Sequence, residues 1–450
     1  MKPVLAIVGR PNVGKSTLFN RLTGRRLAIV DDEPGVTRDC LYADVDVEGR
    51  GAMLVDTGGF SPGAKDEIGS GVLRSIEAAI AEADVLLLVV SARDGLHPLD
   101  REVATLARRR GRPVLLVINQ ADPGMSFPDW EFDALGFEGV SVSALHNQGI
   151  DGLLERLGAL LPEPGTVSDS DGPAGLRVCL LGRPNAGKSS LANRLLGAER
   201  QLVSAEPGTT RDAVDLHFEH QGSRYVLIDT PGVRRRSRVH KRLEVLSVMA
   251  ALRTLERTDV AILVADGSED FSEQDQRLAH LTLERGRGLI IAVNKCDLWS
   301  STRKKAYLDT LDHALRFARF VPRFTVSART GVGVSALLPA VAEVYSWCGK
   351  RITTGEINRF LEVATENVSP PSIKGRRARL YYLAQTNVRP PTFVCSVNNP
   401  VLVTDSYRRY LARSLRERYP YPGTPIRFIF RSHKSDDGPR RPVRKKGRKR

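Results

Sequence analysis

Two segments of this 450-residue chain carry residue types and spacings suited to holding phosphate. Gly9-Arg10-Pro11-Asn12-Val13-Gly14-Lys15-Ser16-Thr17 and Gly182-Arg183-Pro184-Asn185-Ala186-Gly187-Lys188-Ser189-Ser190 both fit G-x-x-x-x-G-K-[ST]. Glycines let a backbone close on an anion, and successive N–H groups at a helix start supply positive potential there. Lys15 and Lys188 would reach the β- and γ-phosphates and stabilise charge, while Ser16 and Ser189 would ligate Mg2+.

The next motifs fall at fixed distances. Asp56-Thr57-Gly58-Gly59 and Asp229-Thr230-Pro231-Gly232 each begin 41 residues after a P-loop lysine. An aspartate there suits the metal shell, and a glycine N–H suits sensing of the γ-phosphate. Thr37 and Thr210, in the segments EPGVTRD and EPGTTRD, would cap the metal and the γ-phosphate. Asn294-Lys295-Cys296-Asp297 then identifies the base. A carboxylate at Asp297 accepts two hydrogen bonds from guanine N1 and N2, a pattern adenine does not offer, and unpaired buried polar groups penalise the wrong base. Ser327-Ala328 suits the loop whose N–H meets guanine O6. The first copy departs, reading Asn119-Gln120-Ala121-Asp122, followed by Ser143-Ala144. Gln120 keeps a stem to lie over the base but loses the charge of Lys295. Guanine specificity is expected to survive with lower affinity, the alternative being that glutamine is a harmless exchange. Phe60 and Val233 occupy the positions where Ras-type enzymes carry a water-orienting glutamine. Neither polarises water, so catalysis must lean on another group.

These residues need scaffolds, and the sequence supplies two of them. Lys15 and Lys188 lie 173 residues apart, as do Thr37 and Thr210, and Asp56 and Asp229; Asn119 and Asn294 lie 175 apart. So long a period means duplicated domains. Within the first copy, the apolar runs 4–8, 53–55, 85–90, 114–118 and 140–142 alternate with segments of helical length. The second copy does the same with 178–181, 225–228, 260–264, 289–293 and 324–326. Short continuous apolar runs imply strands buried on both faces, hence an α/β fold with a mostly parallel sheet and helices on both faces. Residues 162–175, rich in Pro, Gly, Ser and Asp, read as the linker.

Formal net charge is +15, and it is unevenly spread. From Gly349 onward, 24 Lys and Arg face 7 Asp and Glu, so the basicity belongs to the last quarter. That points the last quarter at a polyanion, and RNA or DNA fits better than a membrane, since no long apolar or strongly amphipathic segment accompanies the charge. Five scattered cysteines without a CxxC suggest neither a disulfide framework nor a zinc site. The N-terminus enters a strand-like run without signal-peptide architecture, and a cytoplasmic, monomeric protein is expected.

In the last quarter, Thr353-Thr354-Gly355-Glu356 offers a capping box, and Ile357, Leu361 and Ala364 continue a helical stripe. Strand-like runs at 380–384 and 393–397 flank Pro390-Pro391, a second helix runs from about Asp405 to before Pro420, and 426–430 is a last strand. The order αββαβ is compatible with a KH-like fold, although no GxxG, the RNA clamp of KH modules, occurs after residue 348. Arg408, Arg409, Arg413, Arg416 and Arg418 either track phosphates or simply face solvent. Residues 433–450 read as a basic disordered tail.

In GRPNVGKST and GRPNAGKSS, both TRD segments, DTGG with DTPG, NKCD and the segment RARLYYLAQTNVRPPTF, the chain resembles the double-Era-like GTPases. These are the Der (EngA) family of ribosome biogenesis factors. The resemblance covers residues 1 to about 431. It implies two tandem Ras-like P-loop GTPase domains (1–161 and 176–347), a C-terminal α+β KH-like domain (348–432), GTP/GDP and Mg2+ as ligands, and slow hydrolysis stimulated by K+. It also implies GTP-dependent binding to maturing large ribosomal subunits and their rRNA. Asn12 and Asn185 resemble the asparagine of cation-activated GTPases, where K+ supplies the charge otherwise given by an arginine finger; the alternative is a residue that only shapes the turn. Arg38, Arg211 and Arg234 to Arg236 read as switch salt bridges or RNA contacts. Two rival functions stand beside this one: a constitutive RNA-binding scaffold with the first copy as a structural nucleotide holder, and a tRNA-modifying GTPase. The second lacks a separate modifying domain or reactive cysteine motif.

Overall fold

A computed structural model describes residues 2–24, 42–57, 76–77, 79–81, 83–109, 111–162, 175–197, 202–204, 215–228 and 244–433. The chain divides into two compact units, residues 1–174 with 234–257, and residues 175–233 with 258–450.

In the first unit, β1 (Val4–Val8), α1 (Lys15–Leu22), β2 (Tyr42–Val47), β3 (Arg50–Asp56), β4 (Val85–Ser91), α2 (Pro98–Arg109), β5 (Val114–Asn119), β6 (Gly139–Ser141) and α3 (Ile150–Leu160) follow in order. The sheet order is β2-β3-β1-β4-β5-β6, parallel except for the antiparallel β2–β3 pair. β1 and β4 are buried along their whole length, as strands covered on both faces must be. β2 alternates instead, because the edge strand has one wet face.

The second unit repeats the frame with β7 (Leu176–Leu181), α4 (Lys188–Gly197), β8 (Leu202–Ser204), β9 (Leu216–His220) and β10 (Ser223–Ile228). After α5 (Glu244–Glu256), which the division groups with the first unit, come β11 (Val260–Asp266), α6 (Glu273–Glu284), β12 (Gly288–Asn294), α7 (Ser301–Ala314), β13 (Arg323–Thr325) and α8 (Leu337–Cys348). Its sheet runs β13-β12-β11-β7-β10-β9-β8, the same order with one added edge strand.

The third domain consists of α9 (Thr354–Asn367), a hairpin of β14 (Ser372–Ile373) and β15 (Arg376–Arg377), then β16 (Leu380–Asn387), β17 (Thr392–Val397), α10 (Asp405–Arg418) and β18 (Arg427–Ser432). β16–β17 is antiparallel and β17–β18 parallel. The capping box is present, Thr353 accepting from the Glu356 N–H and Glu356 closing on Thr353. Such a cap contributes about 1 kcal/mol, whereas burying Ile357, Phe360 and Leu361 contributes about 1.5–3 kcal/mol each. Packing, more than the cap, holds this helix.

The third domain is fixed to the second α/β repeat through β12 and α8. Leu289 N–H donates to Gly423 O at 2.8 Å, and Gly423 N–H to Phe320 O at 2.8 Å. Thr424 is fully buried beside Cys348, and the Arg416 guanidinium lies 3.5 Å over the Phe320 ring while donating to the carbonyls of Tyr421 and Thr424. Cys179, Cys296, Cys348 and Cys395 form no disulfide. Among the described residues no helix is long and apolar enough to cross a membrane.

Candidate active sites

Each P-loop leaves a buried central strand through a glycine that no other residue could replace. A Cβ on Gly9 (φ +151°) would strike the carbonyl of Val89, and one on Gly182 (φ +140°) that of Val264. Gly14 and Gly187, also left-handed, abut the side-chain amides of Asn119 and Asn294. The helices that follow begin at Lys15 and Lys188, so their free N–H groups face the loop. Thr17 and Ser190 lie exposed in the first turns.

The lysines turn into their loops. Lys15 Nζ donates to Arg10 O at 2.7 Å, and Lys188 Nζ to Gly182 O and Arg183 O at 2.7 Å each. Burial pushes the Lys15 ammonium below its ordinary range, with the Asp56 carboxylate working the other way. Ser16 Oγ donates to Asp56 Oδ2 at 2.7 Å, at a carboxylate only 3% exposed. Two oxygen donors this close are the hard ligand set that Mg2+ takes, so these residues fit that ion. Thr57 Oγ1 is turned away, donating to Ile7 O. Gly58, Gly59, Thr37, Thr210, Asp229, Thr230, Pro231 and Gly232 lie outside the described residues, as do Phe60, Val233, Arg38, Arg211 and Arg234 to Arg236.

Arg10 and Arg183, expected among the nucleotide-contacting residues, hold carboxylates with their side chains. Arg10 reaches Asp94 at 2.8 Å and Asp100 at 3.5 Å; Arg183 reaches Glu269 at 2.9 Å and Asp275 at 3.0 Å. Asp100 and Asp275 are fully buried at the starts of α2 and α6. In this arrangement the arginine side chains brace the loops, and these positions offer an anion their backbone. Pro11 and Asn12, like Pro184 and Asn185, are exposed on the loops, and both asparagines are left-handed, at φ 67° and 64°. The neighbouring Val13 and Ala186 are buried.

The two base motifs are built alike. Asp122 accepts from Ser143 Oγ at 2.7 Å and from Arg93 at 2.9 Å; Asp297 accepts from Ser327 Oγ at 2.6 Å and from Arg329. The serine hydrogen bonds, then the arginines, hold both carboxyls below the usual range. They remain acceptors, as guanine N1 and N2 require. Asn119 Nδ2 donates to Val13 O at 2.9 Å and its Oδ1 accepts from Ala144 N–H at 3.1 Å. Asn294 makes the matching bonds to Ala186 O and from Ala328 N–H, both at 2.9 Å. One buried side chain thus ties each phosphate loop to its base loop. The Ala144 and Ala328 N–H groups are engaged by these asparagines.

Sequence reading missed two supports. Arg21 Nε and Arg194 Nε, on the P-loop helices, donate to Ala144 O at 2.8 Å and Ala328 O at 3.1 Å. Their identical 173-residue spacing was the available signal. The other is the partner of the motif's second residue. Lys295 pairs with Asp266, at the end of β11. Gln120 Oε1 accepts from Ser91 Oγ at 2.6 Å, at the end of β4, and its Nε2 donates to Asn12 O at 3.2 Å. Gln120 and Lys295 share a left-handed backbone, φ 62° and 64°.

Comparison with known proteins agrees with this geometry. A family model described as 50S ribosome-binding GTPase matches residues 4–120 and again 177–295. Another, described as the KH-domain-like C-terminal domain of EngA bacterial GTPase enzymes, matches residues 351–431. The chain is 44% identical over 432 residues to the GTPase Der of Syntrophotalea carbinolica, covering 95% of this chain and 98% of that protein. It is 45% identical over 434 residues to that of Pelotomaculum thermopropionicum (96% and 98% covered) and 45% identical over 450 residues to that of Symbiobacterium thermophilum (99% and 95% covered).

Proposed function

The chain belongs to the Der (EngA) family of GTPases, and from that premise we propose that it is a GTP-driven switch that binds maturing large ribosomal subunits and assists their assembly. It is an enzyme that splits GTP into GDP and phosphate, with two tandem GTPase domains followed by a KH-like domain. We assign residues 1–161 and 176–347 to the two GTPase domains, 348–432 to the KH-like domain, and the cytoplasm as the place of action.

Asp122 and Asp297 select guanine, and the P-loop backbone and the lysines hold the phosphates for in-line attack by water. As water attacks, charge grows on the phosphoryl oxygens, and Lys15 and Lys188 face that charge from within the loops. Ser16, Asp56 and Thr37 would hold Mg2+ in the first domain, and Ser189, Asp229 and Thr210 in the second. When bound, Mg2+ neutralises charge on the β- and γ-phosphate oxygens. Asn12 and Asn185, exposed on left-handed turns, are the groups we assign to K+ stimulation.

The observation that supports the switch furthest is the mounting of the KH-like domain. Its Gly423 is hydrogen-bonded to Leu289 near the start of β12, and the guanine motif begins at that strand's last residue, Asn294. We take this strand as the route by which a change at the second nucleotide would reach the basic domain. The constitutive-scaffold reading drew on Gln120, and the hydrogen bonds of Gln120 to Ser91 and Asn12 weigh against it. Sedimentation with large ribosomal subunits tests the proposal. With a non-hydrolysable GTP analogue the protein should pellet with the particles, and with GDP it should stay in the supernatant. Equal pelleting in both states would sink it.

A further inference from the structure

One face of the third domain's sheet packs on its two helices, and the other does not. The buried face carries Leu383, Phe393, Cys395, Val397 and Phe430. Strand register places two cross-strand rows on the opposite face: Tyr382–Ser396–Arg431, and Ala384–Val394–Ile429. Tyr382 is 47% exposed and Ile429 41%. The β16–β17 register shifts between Leu380 and Tyr382, so Tyr381 is an extra residue on β16 and is 50% exposed beside its neighbour. Bulges re-aim side chains in this way. Tyr381 lies 5.3 Å from the His433 ring, which is held by Ser396 at 3.1 Å.

The charge carried by the strands themselves has one sign. Residues 368–404 and 418–435, which contain all three strands, include no Asp or Glu. The exposed hairpin Lys374-Gly375-Arg376-Arg377 leads directly into the tyrosines. Its exit is fixed by Asn398, which accepts from Arg379 N–H and donates to Arg377 O, both at 2.9 Å. Exposed aromatic rings on a sheet whose strands and hairpin carry arginines and no carboxylates match single-stranded nucleic acid: bases stack on rings and phosphates lie along the cations. A duplex has no unstacked bases to offer, and a membrane would need a broader apolar face.

We propose that this open sheet face is a stacking platform for single-stranded RNA, with Tyr381 and Tyr382 receiving bases and Arg376, Arg377 and Arg431 receiving phosphates. It takes the place of the missing GxxG clamp. The platform rests on the ribosomal reading for its biological setting, but it succeeds or fails separately.

The test is fluorescence anisotropy of the full-length protein with labelled ten-nucleotide oligo-U and oligo-A, and with a duplex of equal length. Single strands should bind more tightly than duplex. Tyr381→Ala/Tyr382→Ala should weaken single-strand binding about 10- to 100-fold, the range expected for lost base–aromatic stacking. Tyr381→Phe/Tyr382→Phe should bind like wild type, and Arg413→Ser on α10 should change little. Arg376→Ser/Arg377→Ser should lower the salt dependence of binding. In the wild type, ultraviolet crosslinks from 4-thiouridine RNA should map to residues 380–387, a readout that does not depend on any variant folding. Unchanged affinity in the alanine pair, equal binding of duplex, or crosslinks confined to α10 would overturn the platform. If particles pellet with GTP alone while the alanine pair binds oligonucleotides like wild type, the switch stands and the platform falls. If the tyrosines matter but pelleting ignores the nucleotide, the platform stands and the switch falls.

Discussion

Ser91 and Gln120, 2.6 Å apart across the ends of β4 and β5, occupy the places that Asp266 and Lys295 occupy in the second domain. A charged pair in one copy is a neutral pair in the other, with the backbone unchanged. Both members of the pair differ between the copies, so Gln120 has a partner matched to it.

Replacing Gln120 alone should therefore not improve the first site. In Gln120→Lys an ammonium would meet the Ser91 hydroxyl where the second domain has a carboxylate, and GDP affinity should stay level or fall. Ser91→Asp/Gln120→Lys should recover it. Ser91→Ala should weaken GDP binding several-fold, since one hydrogen bond contributes about 0.5–1.5 kcal/mol. Titration of fluorescent GDP in a Lys188→Ala background isolates this site.

The left-handed glycines beside the buried asparagines should tolerate nothing larger. Gly187→Ala would force its methyl group against Asn294 Nδ2 at φ +93°. Overpacking of this kind costs about 1–3 kcal/mol, so nucleotide affinity of the second site should drop about 10- to 100-fold. Gly14→Ala should do the same in the first. Equilibrium binding of GDP to each variant measures both.

The contact between β12 and the third domain makes a prediction about stability. A methyl group on Gly423 (φ +59°) would collide with Leu289 O and lie 2.8 Å from Val344 Cγ2. Gly423→Ala should destabilise by about 1–3 kcal/mol, lowering the thermal midpoint and speeding proteolysis between α8 and α9.

Asp100 gives a pH-dependent outcome. Burial raises its carboxyl above the ordinary range, against the His97 N–H and Arg10. An acid with a raised folded pKa favours folding at low pH, and that contribution is lost as pH rises through the folded value. Relative to wild type, Asp100→Asn should thus gain stability as pH climbs from about 4 toward neutrality. Urea denaturation of both proteins at several pH values would show whether the difference moves that way.

Much of this architecture was legible in the sequence because buried parallel strands announce themselves as apolar runs. The strands around 4–8 and 260–264 were of that kind, and Thr353 with Glu356 announced a helix start that is present. The edge strand β2 and its counterpart β9, one strand in from the edge, were missed because their apolar residues do not form a continuous run, and the 372–377 hairpin because it has almost no apolar residue. In the sites, motif residues were readable while their supports were not. Ser91 and Asp100 lie on other strands and helices, and only the fold brings them to Gln120 and Arg10.

β12 has the third domain at its first residues, and the guanine motif starts on its last. A chain cut after α8 would leave Leu289 without its acceptor and strip the cover from Val344 and Cys348. The second GTPase domain is therefore not a detachable module. Measurements on such a fragment would describe a wounded enzyme, and any loss of turnover would say nothing about RNA.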